Sequence, residues 1–481
     1  MSDFRKKSIN SGKWNLILQV GQYGITFFLS IVLSRMISPA EFGLTGMLSI
    51  FISIATIITN SGLASALVFD KNANEDDYAT VFYFNAIISL LLYFVLFFSA
   101  QLIASFYGQQ ELIPLTRWIA LVFVFNAFSI IQNTILVIEL DFKTQSIIKL
   151  ISLIISVIVA IIMALTGFGV YSIVAQALVQ AFIGSALFWF QSSWRPSGRF
   201  TKKSFVKLWN YGSKILFSNL FTTLTQNIDN LLIGKIFQPT ILGLFVRAKS
   251  TKAIPESIFT LAFQTSIFPI LTKVNEDKYE HKRKHLQFFK IGSFFIFPLV
   301  VVFFYSSREL VLFLYGDKWL NAVEYLEIIS FTIIPYFLGI LFNQTLLSMG
   351  DSKLFMKLNM FRRVLSIINI PIAIYWGLIP YLYSMVIFSS IGLIIDILYS
   401  SPKINTQFKD YLPTLFKSII YSLVMALVIV FCTKFLLIGA LSAKIIGIFI
   451  AIFLYLIILY YFEFQIFLHF TEILKSFTNK Q

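Results

Sequence analysis

What most limits the folds open to this chain is a succession of apolar runs, each near the length that crosses a bilayer. A hydrocarbon core about 30 Å thick takes about 20 apolar residues as a helix. Fourteen runs qualify, near residues 15–36, 44–68, 80–105, 115–137, 147–166, 169–191, 209–234, 241–271, 288–306, 324–348, 360–377, 379–400, 413–433 and 441–462. In hydrocarbon, the backbone N–H and C=O groups must bond within their own segment, so runs of this length fold as helices. The 481 residues are 58% hydrophobic and 13% charged, a balance that excludes a soluble protein with an ordinary polar surface. The expected fold class is all-α, a polytopic membrane protein of about fourteen transmembrane helices.

The charges that remain are informative by position. The net charge is +15. On a soluble chain that would suggest nucleic acid. Here most lysines and arginines fall on alternate connections, Lys143, Lys149, Lys475 and Lys480 among them. The asymmetry predicts both termini on the cytoplasmic side, and nucleic acid is not an expected partner. The 54 phenylalanines lie mostly inside the runs and read as packing or lipid-facing groups. Cys432 is the single cysteine, so no intrachain disulfide or cysteine metal site is possible. The first apolar run follows the basic MSDFRKKSINSGK, is long and lacks a small-residue cleavage pattern, so it reads as a retained helix.

Every connection is short, and the longest follow the sixth and eighth runs. They leave no room for a soluble catalytic domain, and no cofactor or metal is expected. His281 and His285 stand four apart in DKYEHKRKH without a third ligand nearby. That segment reads as interfacial and drawn to anionic lipid. NANEDDY, residues 72–78, reads as a solvated cytoplasmic stretch.

An internal repeat organises the chain. LSRMISPAEFGL (33–44) follows the first run and IGKIFQPTILGL (233–244) follows the seventh. Arg35 aligns with Lys235, Pro39 with Pro239, Gly43 with Gly243 and Leu44 with Leu244. Proline followed by Gly-Leu turns the chain between two helices. Six helices per half is an even number, so the halves share one orientation, as parallel repeats do in transporters. The expected division is an N-terminal lobe over 1–194, a second lobe over 195–405 and two added helices over 406–481.

Several segments, in this order and spacing, carry a family likeness. They are SRMISPAEFG, LTGFGVYSIVAQALV, SSWRPSGRF, NIDNLLIGKIF, LGLFVRAKSTKAIP, LYGDKWLNAVEYLEII and LLSMGDSKLFMKLN. The chain resembles the Wzx-type flippases, the polysaccharide-biosynthesis branch of the superfamily that includes MATE drug exporters and the lipid II flippase. The resemblance implies two lobes of fourteen or so helices in a bacterial cytoplasmic membrane. It implies that an oligosaccharide on undecaprenyl diphosphate moves from the inner to the outer leaflet by alternating access. The lipid-linked oligosaccharide and membrane lipids are the expected partners, together with a polysaccharide polymerase and chain-length machinery. Some superfamily members hold an acidic cation site in the first helix, and this first helix has no acid. A MATE-like drug or ion antiporter and a membrane polysaccharide polymerase or ligase stand as alternatives.

A diphosphate and a sugar chain are both costly to desolvate, so such a carrier needs a wet, polar and preferably cationic interior. The diphosphate candidates are Arg247, Lys249, Arg35, Lys235, Arg117 and Lys214, near helix ends. For the outer ones, snorkelling to the interface is the competing reading. The sugar candidates are amides within helices, which offer donors and acceptors to hydroxyls: Asn126, Gln176, Gln180, Asn219, Gln226 and Asn230. Gln176 and Gln180 are one turn apart on one face. Asn219, Thr223, Gln226 and Asn230 form a stripe on the seventh helix, with Thr222, Thr225 and Asp229 beside it. Three roles stay open for Asp229: a gate pairing with a cation, an ion-coupling site, or a structural acid.

Overall fold

The computed structural model describes residues 2–435 and 440–468, without side chains at 2–13, 15–16, 258–259, 261–266 and 440–441. Lys475 and Lys480 therefore lie outside the described residues. The described chain is helical throughout, with no strand. Nineteen α-helices follow one another among these residues: α1 (Ser2–Met36), α2 (Pro39–Asn60), α3 (Leu63–Phe69), α4 (Glu75–Tyr107), α5 (Leu112–Ile119), α6 (Leu121–Ile138), α7 (Phe142–Leu165), α8 (Tyr171–Gln191), α9 (Lys202–Ile236), α10 (Pro239–Lys273), α11 (Lys278–Tyr305), α12 (Ser307–Tyr315), α13 (Ala322–Ser330), α14 (Ile333–Ser348), α15 (Ser352–Ile368), α16 (Ile370–Trp376), α17 (Leu378–Ser400), α18 (Leu412–Phe435) and α19 (Ala440–Phe462).

Eleven stretches among the described residues are long and apolar enough to cross a membrane. Among the runs without such a stretch, α9 and α15–α16 carry more polar residues than their neighbours. Large apolar side chains such as Phe98, Ile158 and Leu427 point outward, as lipid-facing groups do in a protein whose solvent is hydrocarbon. Four apolar runs are broken helices, the tenth being α13 plus α14, parted at Phe331 and Thr332. The second is α2 plus α3, parted at Ser61 and Gly62, both with positive φ (47° and 70°). The fourth is α5 plus α6, parted at Ala120, and the eleventh is α15 plus α16, parted at Asn369.

The chain divides into two compact units. The first holds residues 1–246 and Leu314–Trp319. In it α1 packs on α7 through Leu29, Leu33, Leu153 and Val157, and α3, α4, α6 and α9 meet around Leu63, Phe82, Ile131 and Leu208. The second holds Arg247–Phe313 and the chain from Leu320. Its core includes Phe289, Ile296, Phe337, Phe342, Ile397 and Tyr411 from α11, α14, α17 and the segment before α18. There α18 and α19 pack on each other and join α11 around Phe294, Met425, Ile429 and Leu459. The packing boundary falls inside α10, beyond residue 194, because α9 packs along α2, α3 and α4 within the first unit.

The repeat has a structural counterpart in the first unit. Proline at the first helical position costs no hydrogen bond, and both α2 and α10 begin with one. Ser38 caps α2, and its backbone N–H donates to Glu41 Oε2 at 2.9 Å. One turn into each helix, a glycine clears the other. A Cβ on Gly43 would collide with the carbonyl of Pro239, and a Cβ on Gly243 with the carbonyl of Pro39. The two repeat copies therefore meet reciprocally, backbone on backbone. At the other end of α2, Gly62 abuts the Gly212 carbonyl of α9 and could not carry a side chain there.

Two polar segments differ from their sequence reading. NANEDDY is a structural joint. Asn74 caps α4, Glu75 accepts from Trp194 Nε1 at 3.0 Å, and Asp76 accepts from the Arg199 N–H at 2.9 Å. Asp77 is buried and accepts from Lys207 Nζ at 2.9 Å, and Lys207 also pairs with Asp70. The hydrogen bond from Lys207 holds Asp70 below the usual carboxylate range, and that same bond, with the one to Asp77, holds the ammonium above its own. The DKYEHKRKH segment turns its histidines inward. His285 Nδ1 bonds Thr345 Oγ1 at 2.8 Å and its Nε2 bonds Tyr411 Oη at 3.1 Å, while His281 Nε2 bonds Ser348 Oγ at 3.2 Å. Both histidines are buried in the second unit, and only the opposite face carries the charges.

Gly243→Ala places a methyl on the Pro39 carbonyl and is expected to cost about 1–3 kcal/mol. Gly24→Ala has open space around it and should be neutral or gain about 0.5–1 kcal/mol within a helix. Thermal unfolding of the two detergent-purified variants checks this. A Gly243→Ala protein melting at or above the wild-type temperature would contradict the contact.

Candidate functional site

The polar stripe of α9 exists as a surface. Asn219 and Gln226 are exposed, Thr223 and Asn230 are half-buried, and Asp229 is buried. Asn230 Nδ2 donates to Ser49 Oγ of α2 at 3.1 Å, so the stripe meets a hydroxyl of the neighbouring helix. Asn227 instead donates to the Thr223 carbonyl of its own helix at 3.0 Å.

The cationic candidates separate into two kinds. Arg35 Nε donates to the Leu314 carbonyl at 3.2 Å, where LYGDKW lies on the end of α1. Trp319 of that segment is fully buried and donates to the Ser34 carbonyl at 2.8 Å. Lys235 donates to the Phe106 carbonyl and lies 4.6 Å over the Phe106 ring. The Arg117 guanidinium lies 4.5 Å over the Phe97 ring. All three are exposed at helix ends, each with its charged group against a carbonyl or a ring face of a neighbouring residue. Lys214 is exposed near the start of α9. Arg247 is different. It is buried on α10 in the second unit, with Lys249 half-buried two residues on. One turn later Lys252 pairs with Glu256 at 3.0 Å and donates to Thr332 Oγ1 at 2.9 Å.

The amide candidates of the first unit converge. Asn126 and Gln180 line a cavity of about 460 Å³, together with the polar residues Gln22, Thr59, Asn133 and Lys149 and apolar ones such as Phe123 and Phe188. Gln176 Nε2 donates to Gln180 Oε1 at 2.9 Å, as their one-turn spacing predicts. Asn219, Gln226 and Asn230 do not line this cavity. Lys149, counted from sequence among the orientation charges, is part of the cavity wall. Its signal was the spacing Lys149, Ser152, Ser156, a polar face on α7.

The second unit holds a buried ion pair that the sequence reading missed. Arg362 Nη1 pairs with Asp396, and its Nη2 donates to Asn343 Oδ1 at 2.9 Å and Asn359 Oδ1 at 2.8 Å. The cluster joins α14, α15 and α17, and Gly339 and Gly392 leave it room. The available signal was a lone acid in the apolar run IGLIIDILYS. At the end of α19, Glu463 takes Lys290 and Lys417, each at 2.6 Å. Burial pushes this carboxyl up, but the two lysine hydrogen bonds outweigh it and hold it below the ordinary range. No cluster of histidine, cysteine and acidic residues suited to a metal occurs among the described residues.

Known proteins place this architecture. The chain is 22% identical to the succinoglycan biosynthesis transport protein ExoT of Rhizobium meliloti over 68% of each chain. It is 26% identical to the teichuronic acid biosynthesis protein TuaB of Bacillus subtilis over 69% of each. Its fold matches the lipid II flippase MurJ in an inward closed conformation with a TM-score of 0.70 at 19% identity, covering 93% of this chain and 99% of that one. A family model described as polysaccharide biosynthesis protein matches residues 32–324, and the chain belongs to that family, the Wzx-type branch of flippase-like membrane transporters that its motifs resemble.

Proposed function

We propose that this protein moves an undecaprenyl-diphosphate-linked oligosaccharide from the inner to the outer leaflet of a bacterial cytoplasmic membrane, by alternating access, for surface polysaccharide synthesis. The lipid tail stays in hydrocarbon while the diphosphate and sugars cross along polar helix faces. The glycan then passes to a polymerase and its chain-length machinery. Both termini lie on the cytoplasmic side in this reading. The repeat-based lobes 1–194 and 195–405, with 406–481 added, are retained as its evolutionary units.

One observation carries the proposal: the charge balance inside the helices suits an anionic cargo. Three of the buried carboxylates, Asp77, Asp396 and Glu463, each sit against a lysine or arginine. The polar interior also carries amides and cations, Arg247 and Lys249 on α10 and Lys149 on α7 among them. A cation exporter would need the opposite balance. We assign the diphosphate to Arg247 and Lys249, because a guanidinium beside an ammonium suits phosphate, its planar fork donating two parallel hydrogen bonds. Arg35, Lys235 and Arg117 are assigned to interfacial anchoring, and Lys214 to the entrance. The α9 amides Asn219, Gln226 and Asn230 face the sugars, and Asp229 serves the gate.

Arg247→Ala, Lys249→Ala and the double variant should each insert normally and lower surface polysaccharide by about tenfold or more, about 1.4 kcal/mol of lost stabilisation. Complementation of cells lacking their own flippase measures this. Normal polysaccharide in all three would remove the diphosphate assignment. Asp229→Asn, tested in proteoliposomes under imposed proton or sodium gradients, should change the transport rate and leave its gradient dependence intact. Loss of gradient dependence would make Asp229 the coupling site instead.

A further inference from the structure

We infer that the cavity of the first unit is a recognition subsite for a singly charged, hydroxyl-rich ligand, a carboxylate-bearing sugar of the glycan, with Lys149 as its counter-charge. The inference rests on the proposed transport of a glycan and adds to it which sugar chemistry this chain selects. Lys149 lies seven residues into α7, about 10 Å from the helix start. An ionisable group inside an apolar run is a functional candidate by default, since it must face a partner, a cavity or the interface. No carboxylate lines the cavity to neutralise it.

Two of the amides that line the cavity have their oxygens already engaged. Gln180 Oε1 accepts from Gln176, and Asn133 Oδ1 accepts from Gln145 Nε2 at 2.9 Å. With their oxygens engaged, both amides offer N–H groups to a ligand. Thr59 is 2% exposed, and its hydroxyl finds no hydrogen-bond partner among the described groups. A cation, two amide donors and an orphaned hydroxyl form a donor set, which binds an anion. The serines complement it. Ser129 and Ser152 donate to main-chain carbonyls of their own helices, leaving their oxygens to accept from sugar hydroxyls.

Charge and size select among anions. A diphosphate carries more negative charge than one ammonium balances, whereas a hexuronate carries one carboxylate and several hydroxyls. The cavity, about 460 Å³, falls within the roughly 300–1,000 Å³ of small-ligand sites. The shared chemistry, an anionic oxygen cluster on a lysine, could still come from the carrier diphosphate, and the test separates the two.

Saturation-transfer NMR of the full-length purified protein in nanodiscs, titrated with sodium glucuronate, glucose or inorganic pyrophosphate, reads this directly. Glucuronate should bind saturably, and glucose about tenfold more weakly or less. Lys149→Gln should weaken glucuronate about tenfold without changing glucose, and Lys149→Arg should restore it. Should Lys149→Gln fail to fold, Thr59→Val and Asn133→Leu on the other walls must each weaken glucuronate. Absence of saturable binding, glucuronate affinity untouched by Lys149→Gln, or tighter pyrophosphate binding with the same Lys149 dependence would each overturn the assignment. Because the readout is binding alone, its failure is distinct from that of the export test on Arg247 and Lys249.

Discussion

A charge inside hydrocarbon has to be paired, hydrated or put to use, and that constraint arranges most of this protein's interior. Asp396 is met by Arg362, whose remaining donors are taken by Asn343 and Asn359. Glu463 ties α19 to α11 and α18 through two lysines, so this helix is held to the rest of the second unit by charge as well as by packing. Asp77 and Asp70 share Lys207 where α9 begins. The amides and cations that share this interior are the physical basis for reading the cargo as an anion.

Backbone proximity is the second organising feature. The reciprocal Pro39–Gly243 and Pro239–Gly43 contacts hold the starts of α2 and α10 together, and Gly62 against Gly212 holds the far end of α2 to α9. Gly234, late in α9, is closed in by Met47, Tyr107 and Leu242. Small residues at both ends let α9 lie close along α2. This is why the first helix of the second repeat belongs to the first packing unit, although the repeat begins a new lobe in sequence.

The helical architecture was legible because its signals are local. Twenty apolar residues make a spanning helix wherever they stand, and Pro followed by Gly-Leu marks a turn that recurs 200 residues later. The α9 stripe and the Gln176–Gln180 pair were legible for the same reason, since spacing alone places residues on a face. What escaped depends on partners distant in sequence. NANEDDY looked solvated because its partners, Trp194, Arg199 and Lys207, lie more than a hundred residues away. His281 and His285 looked interfacial beside four cations, yet their bonds go to α14 and Tyr411. Lys149 and Asp396 each stand alone in an apolar run, and nothing within that run says whether it faces a cavity, an ion pair or the interface.

The central claim is that an electropositive, amide-rich interior carries a lipid-linked anion across the membrane. Its most direct measurement is transbilayer movement in proteoliposomes holding the purified protein and a fluorescent polyprenyl-diphosphate oligosaccharide, with an impermeant quencher added outside. The account predicts that the protein equilibrates the labelled lipid between leaflets and gives no uptake of a lipophilic organic cation in parallel vesicles. Transport of the cation with no movement of the diphosphate-linked glycan would contradict it.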